Sequence, residues 1–557
     1  MALCLGIFIF SCSTEPKADL IFVNGKVWTG ENDSSFVEAV AIRGNKIQAT
    51  GKSVDIEKLG GKDSKRIDLN GQLMIPGFND AHIHFLRGSM GLDEADLTDA
   101  RTAAEVVEII NTFYANHSDK SWVIGRGWQY SSFERGLPDH QSLAGITNDV
   151  PVFIRAYDSH SAWANRKALQ MAGIDRNTTY EGFGEIVKDQ NGEPTGTLRE
   201  SAMWLVGKLV PKPDVEEELN ALRAGMKRAA SLGITSIQNA DGTEEDLKLY
   251  LQLLKNKELT LRYAAAFSAG KQTQEKDINR FRELKDSLGP NNPMLRADAI
   301  KFVIDGVIES HTAHMLEPYA DLSKTDPLAH GQMALPVEQY QLMVAQFDKL
   351  GFRIYTHAIG DKSVRESLQA YEMAMKKNGK RDSRHRVEHI ETISPDDIPR
   401  FAALGVMPSM EPIHADPGTT AVWAAAVGEE RLPWSFPWAS MLKNNAFLVF
   451  SSDWPACIDL NPIRGLHVAV NRRTPEGFPE NGWIPEQKIS MAEALKAYTS
   501  AGAYSSFEEN VKGKIKEGQL ADLIVLSQDL FTIDPMKTHE TLVKMTIFDG
   551  RVIYERD

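Results

Sequence analysis

At 557 residues the chain exceeds the size of one ordinary core, which leaves several domains or one large barrel with attachments. Hydrophobic residues make up 42% and charged residues 25%, the balance of a globular protein with a large core, so a disordered chain and a multi-pass membrane protein are excluded. Asp and Glu (76) outnumber Lys and Arg (62), and the net charge of −14 repels a phosphate backbone, so no nucleic-acid partner is expected.

The three cysteines, Cys4, Cys12 and Cys457, form neither a disulfide framework nor a zinc-finger spacing, so any metal must use His, Asp, Glu or Lys. Residues 2–10, ALCLGIFIF, are an uncharged apolar run, too short for the ~20 residues of a membrane span but suited to the core of a secretion signal. Ile9-Phe10-Ser11-Cys12 follows and resembles a bacterial lipobox, in which the cysteine is lipidated and becomes the N-terminus; no Lys or Arg precedes the run, which departs from the usual signal. Residues 1–17 are therefore expected to be a lipoprotein signal and tether. They would anchor the chain through Cys12 in the envelope of a bacterium, facing the periplasm or the outer surface.

Strand pairs follow. DLIFVNGKVWT (19–29) reads as a hairpin turning at Asn24-Gly25, AVAIRGNKIQATG (39–51) as one turning at Gly44-Asn45, and IDLNGQLMIPG (67–77) places Asn70-Gly71 between two apolar runs. The far end repeats the texture in GQLADLIVLSQD (518–529) and in LVKMTIFDGRVIYE (542–555), which turns at Asp549-Gly550. Short sheets cannot bury their apolar faces alone, so residues 18–72 and 510–557 are expected to form one composite β-sandwich.

Between these ends, short apolar runs alternate with amphipathic helical segments, the signature of βα repeats. Candidate strands lie at 73–80, 233–240, 260–267, 297–305, 352–358, 385–390, 404–410 and 446–453. Eight such strands close into a (β/α)8 TIM barrel, an α/β fold of ~250 residues, here assigned to 73–87 and 229–509. About 150 residues separate the first two strands. The excess, 88–228, is expected to be an insertion folded over the barrel mouth, because the active-site loops of this fold gather on one face.

His82 and His84 close the first strand in PGFNDAHIHF, and residues i and i+2 of a strand point the same way. With 14 histidines in the chain, chance alone yields roughly 0.35 such pairs, so the pair is weak evidence by itself. Three further donors stand at predicted strand ends: His357 in YTHAIGD, His389 in RVEHIE and Asp453 in SSDWP. The 32 residues from His357 to His389 and 64 from His389 to Asp453 are one and two βα units. Donors at the C-terminal ends of strands one, five, six and eight converge on one pocket in a barrel. Lys301, in the apolar fourth strand ADAIKFVIDG, is the remaining candidate: a buried amine loses its charge and reacts with CO₂ to give an anionic carbamate able to bridge two ions.

These segments, GFNDAHIH, IKFVIDG, THAIGD, RVEH and SSDWP, resemble the amidohydrolase superfamily. With the flanking strands and the insertion, the chain is most similar to the N-substituted formamide deformylase-like (YtcJ-type) branch over nearly its whole length after the signal. The resemblance implies that His82 and His84 hold one ion and His357 and His389 a second, that carboxylated Lys301 bridges them, and that Asp453 binds metal and shuttles a proton. Zn²⁺, as one or two ions, is the expected cofactor, and attack of metal-bound hydroxide on an amide, N-acyl or N-formyl C–N bond the expected reaction. Cyclic-amide hydrolysis, deamination and ester hydrolysis on the same scaffold stay open, as does a non-catalytic surface binding lipoprotein.

Further site candidates are His160 in YDSHSAWANRKAL, as a catalytic donor to the substrate carbonyl, and Trp128, Tyr130 and Trp163 as pocket walls. Asp305, His311 and His314 follow strand four and are placed at the mouth. Strand alternation sets Arg386 and Glu388 on the face opposite His389, as a structural pair. The expected partners are a small-molecule substrate, a membrane only through the N-terminal anchor and, at most, a second copy of the chain as a homodimer.

Overall fold

The computed structural model of the protein describes residues 16–118, 120–134, 136–289, 292–456 and 459–556. The apolar N-terminal run, Cys12 and Cys457 lie outside these residues.

One sheet of eight strands organises the molecule: β1 (Phe78–Ile83), β2 (Ile234–Gly242), β3 (Arg262–Ser268), β4 (Leu295–Val303), β5 (Arg353–Ala358), β6 (Arg386–His389), β7 (Met407–Met410) and β8 (Val449–Phe450). Every neighbour pair is parallel and follows chain order. Two backbone bonds span the seam between the ends: Asp453 N–H donates to the His82 carbonyl at 2.8 Å, and His84 N–H to the Trp454 carbonyl at 2.9 Å. The result is a nearly closed (β/α)8 barrel. Its strands are covered on both faces, which is why β3, RYAAAFS, is buried at every residue but its last. The helix Val215–Ser231 leads into β2; its start is set by a capping box in which Glu217 N–H donates to Asp214 Oδ1 and Asp214 N–H to the Glu217 carboxylate.

Three boundaries differ from the sequence pattern. The first predicted barrel strand, 73–80, breaks at Gly77: Leu73–Pro76 joins a terminal sheet, antiparallel to Leu523–Leu526, and only Phe78–Ile83 enters the barrel. The apolar character is continuous across the break because both halves are buried, so periodicity cannot separate them. The insertion also ends before residue 228. Helix Val215–Ser231 buries Leu219, Leu222, Met226 and Ala229 in the same cluster as the barrel strands, so it belongs to the barrel.

The third difference lies in the terminal segments. One sheet has the order Lys46–Gly51, Ala39–Arg43, Ala18–Val23, Gly60–Asp68; the other runs Arg551–Glu555, Val543–Phe548, Leu523–Leu526, Leu73–Pro76, Lys26–Trp28, Phe36–Val37. The turns at Gly44-Asn45 and Asp549-Gly550 close antiparallel hairpins. At Asn24-Gly25 and Asn70-Gly71, by contrast, the chain crosses from one sheet to the other. Phe22 and Val27 flank the first crossing and share one buried cluster from opposite sheets, a burial that a hairpin pattern mimics.

The segment between β1 and helix Val215–Ser231 forms a separate six-stranded sheet, Gly184–Lys188, Pro194–Glu200, Ser161–Ala164, Val152–Ala156, Val123–Trp128, Ala95–Asp96, with its own apolar clusters.

Candidate active site

All six residues expected to bind metal stand at the C-terminal end of the barrel. His82 is the last residue but one of β1 and His84 lies just beyond it; Lys301 is near the end of β4, His357 is the last but one of β5, His389 is the last of β6, and Asp453 follows β8. His82, Lys301, His357, His389 and Asp453 are buried. His82 Nε2 and His84 Nε2 lie 3.5 and 3.2 Å from Asp453 Oδ1, Lys301 Nζ is 2.9 Å from His82 Nε2, and the His357 and His389 rings are 4.4 Å apart. His389 (φ 73°) and Asp453 (φ 58°) adopt the left-handed backbone region, which costs such residues ~1–3 kcal/mol and clusters at functional sites.

Each imidazole is held from behind. His82 Nδ1 meets Glu388 Oε2 at 2.7 Å, His84 Nδ1 meets Asp241 Oδ2 at 2.8 Å, and His389 Nδ1 meets Glu411 Oε2 at 2.9 Å. A carboxylate that takes Nδ1–H fixes the tautomer and turns Nε2 towards the centre. His357 is held the other way round, with Nε2 at 3.2 Å from the Gly306 carbonyl, which leaves Nδ1 free. Burial drives His82 and His357 well below the ordinary histidine range, keeping them in the neutral form that ligates metal, and burial also lowers the Lys301 amine. Asp453 is held below the usual carboxylate range: burial opposes its charge, but the His84 hydrogen bond and the neighbouring His389 and His414 outweigh that cost.

This donor set fits a divalent metal ion. Among the described residues, His389 Nε2 is a buried polar atom without a hydrogen-bond partner, a state that costs ~1–3 kcal/mol and calls for a ligand. His82, His84 and Asp453 bring donor atoms within 4.8 Å of one another, as do His389, Glu411 and His414.

Beside the centre, a cavity is lined by His357, His389 and Asp453 together with Tyr157, Asp158, His160, Glu309, Glu391 and His414, and by apolar Val307, Ile359 and Ala456. His160 lies on this cavity, its ring 5.3 Å from that of His357. Its Nδ1 bonds Glu200 Oε2 at 2.9 Å; burial opposes protonation, but Glu200 lifts His160 to about 9.

The other pocket candidates are not on this cavity. Trp128 and Trp163 are buried in the apolar cluster of the insertion, with Trp128 Nε1–H donating to the Ile154 carbonyl and Trp163 Nε1–H to that of Thr195. Tyr130 is buried with them and donates to Asp158. These large rings supply the core that a separate sheet needs. His311 is occupied by Asp321 at 3.0 Å. Asp305 is closed by the backbone N–H groups of His314, Ile359 and Gly360, and burial pushes it up to about 7; it shapes the loop behind His357. His314 is partly buried and pushed down to about 4 by burial, then by Lys362.

Glu388 departs from the alternation argument. It bonds Arg386 Nε at 2.7 Å as expected, yet it also faces the axis and holds His82. The positive φ of His389 turns that residue back towards the same side. Glu411, His414 and Glu391 carry no motif of their own, although EPIHAD (411–416) directly follows the seventh predicted strand and Glu391 the sixth, where barrel chemistry gathers.

Comparison with known proteins agrees with this geometry. The Amidohydrolase family profile matches residues 65–554. Protein LONG AFTER FAR-RED 3 of Arabidopsis thaliana is 30% identical over 96% of this chain and 92% of its own length. Putative amidohydrolase YtcJ of Bacillus subtilis is 29% identical over 96% and 99%, and N-substituted formamide deformylase of Arthrobacter pascens 26% identical over 97% and 98%. The crystal structure of an uncharacterized metal-dependent hydrolase from Pyrococcus horikoshii, 24% identical, superposes with a TM-score of 0.71 over 93% of this chain and 99% of its own, and thereby shares the fold. The chain belongs to the amidohydrolase family.

Proposed function

We propose that the protein is a metal-dependent hydrolase of a non-peptide C–N bond in a small amide, N-acyl or N-formyl amine. The observation that carries the reading is the convergence of Asp453 and of the buried His389 Nε2, which has no hydrogen-bond partner among the described residues, on a cavity whose other imidazoles are held by Glu200, Glu391 and the Gly306 carbonyl. His82, His84, His357, His389 and Asp453, with Lys301 as its carbamate, would hold zinc, as one or two ions. When bound, the metal supplies Lewis acidity and lowers the pKa of a coordinated water towards ~7.

The remaining functions belong to the chain. Asp453 accepts the proton of the attacking water, for which its position between His82, His84 and the cavity suits it. His160, charged through Glu200, donates to the carbonyl oxygen as negative charge develops there. Val307, Ile359 and Ala456 give the substrate's hydrocarbon part an apolar wall. We also read the two terminal sheets as one β-sandwich around their shared cluster, and Cys12 as the lipid anchor of an envelope protein; mass spectrometry of the native N-terminus tests the anchor.

Metal analysis of the purified protein and a hydrolysis panel of N-formyl amines, N-acyl amines, N-acyl amino acids and cyclic amides test the function. At least one equivalent of divalent metal and turnover of one amide class are expected. Less than about half an equivalent, with no turnover after metal is added, overturns the reading.

A further inference from the structure

His414 is the one imidazole on the cavity that the reading above leaves without a task. It lies in the short 3₁₀ turn Pro412–Ala415 that follows β7, its side chain is 12% exposed, and its Nε2 is buried without a hydrogen-bond partner among the described residues. Its orientation is built from behind. Trp423 Nε1–H donates to Glu391 Oε2 at 2.7 Å, and Glu391 Oε1 takes His414 Nδ1 at 3.3 Å. Trp423 and Glu391 are both buried, so this chain of contacts fixes the ring and aims Nε2 at the reaction space. The His414 ring is parallel to that of His389, with 6.0 Å between centroids, and His414 Nε2 stands 3.9 Å from Asp453 Oδ2. That separation is too long for a direct hydrogen bond. A nitrogen placed about 2.8 Å from each atom, at the apex of a triangle on this base, hydrogen-bonds to both.

We propose that His414 is a catalytic residue that protonates the departing amine nitrogen, resting on the metal-dependent amide hydrolysis read above. Water adds to the carbonyl carbon, forming the C–O bond and sending the carbonyl π pair to oxygen, and Asp453 takes the water proton. When C=O re-forms, the C–N bond breaks and its electron pair stays on nitrogen, which takes the proton from His414 Nε2 and leaves as the amine. The amine nitrogen, still hydrogen-bonded to both atoms, then takes the proton held by Asp453 and gives one to His414 Nε2, so amide and water become acid and amine with both side chains restored. His160 and His414 thus flank the centre with different tasks: one faces the carbonyl oxygen, the other the leaving nitrogen. Glu391 is a positioning residue, acting through His414.

The test uses two amides with the acyl group that the wild-type holoenzyme turns over, beginning with N-butylformamide and 4-nitroformanilide. Alkylamine must be protonated to leave, whereas 4-nitroaniline leaves with far less help. For His414→Gln, kcat on the alkylamide is expected to fall about 100-fold or more and on the nitroanilide less than about 10-fold, with metal content unchanged. Glu391→Gln should show the same split at smaller amplitude. Equal losses on both amides in the two variants, or loss of metal from His414→Gln, overturns the proposal; the latter makes His414 a ligand. Failure of the wild type on every amide instead removes the functional reading itself, so the two failures are distinct.

Discussion

The two ends of the barrel interior treat buried charge in opposite ways. At the N-terminal end, Arg386 spends all three guanidinium nitrogens: Nε on Glu388, Nη1 on Gln238 and Nη2 on the Ala81 carbonyl, with Tyr355 stacked 3.5 Å from the guanidinium. Arg353 pairs with Asp298 in the same layer but leaves its Nε without a partner among the described residues, so the closed network is the one around Arg386. At the C-terminal end, each imidazole has one nitrogen engaged and the other turned inward, and His389 Nε2 and His414 Nε2 have no partner among the described residues. A closed network specifies a unique core; an open one marks the place where something else must bind. Glu388 joins the two, since one oxygen takes Arg386 and the other takes His82.

The largest expected effect removes the amine on which the open end depends. An ammonium at Lys301 among divalent ions and imidazoles is strongly repelled, whereas its carbamate is attracted. Lys301→Ala should lose metal and at least about 10³-fold in activity, the several kcal/mol a metal supplies, and recover part of both when a short carboxylic acid is added. Lys301→Arg should be no better, because guanidinium forms no carbamate. Near wild-type activity in the Arg variant would withdraw the bridging role.

Breaking the closed end comes next. Arg386→Leu leaves Glu388 buried without its cation, which costs ~3–5 kcal/mol of stability. Urea denaturation measures it. The same variant should hold metal more weakly, because a Glu388 that takes up a proton to escape its uncompensated charge no longer accepts from His82. A stability loss below ~1 kcal/mol would show that the lower network is not closed.

Glu411→Gln tests the open end without emptying it. Glu411 takes His389 Nδ1 on one oxygen and Ser451 Oγ–H on the other, at 2.9 Å each. Neutralising such an orienting carboxylate typically costs 10–100-fold in metal affinity or activity, with little change in thermal midpoint. Titration with a metal chelator separates the two readouts, and a shifted midpoint with unchanged affinity would make Glu411 a packing residue.

How much of this contrast is written in the sequence depends on distance along the chain. The six inward donors are legible because each ends a strand and barrel strands recur at βα spacing. Their partners are not: Glu388 holds His82 across 306 positions and Glu200 holds His160 across 40, and only the closed fold brings them together. Where Glu388 and His389 are neighbours, strand alternation misleads, since the positive φ at His389 ends the alternation at that residue. Turn chemistry misleads in a related way at Asn24-Gly25, because two apolar runs can bury one face either as a hairpin or from opposite sheets. Residues that line a pocket and residues that fill a core both look aromatic in sequence, and this accounts for the expectation at Trp128 and Trp163.

The smallest expected effect makes that last distinction measurable. Trp128 is buried in the insertion's cluster, edge-on to Tyr130 at 5.1 Å and to Phe133 at 5.5 Å, and it does not line the cavity. Trp128→Phe keeps an aromatic ring, leaves a small void and frees the Ile154 carbonyl that accepts from Nε1–H at 3.3 Å. Changes that largely preserve shape in a core cost less than ~1.5 kcal/mol, and the lost hydrogen bond adds about 1. The insertion is therefore expected to melt slightly earlier while KM and kcat on the best amide stay within about twofold of wild type. A several-fold rise in KM without a change in melting would put Trp128 at the substrate after all, and the insertion would then belong with the open end of the barrel rather than with its closed parts.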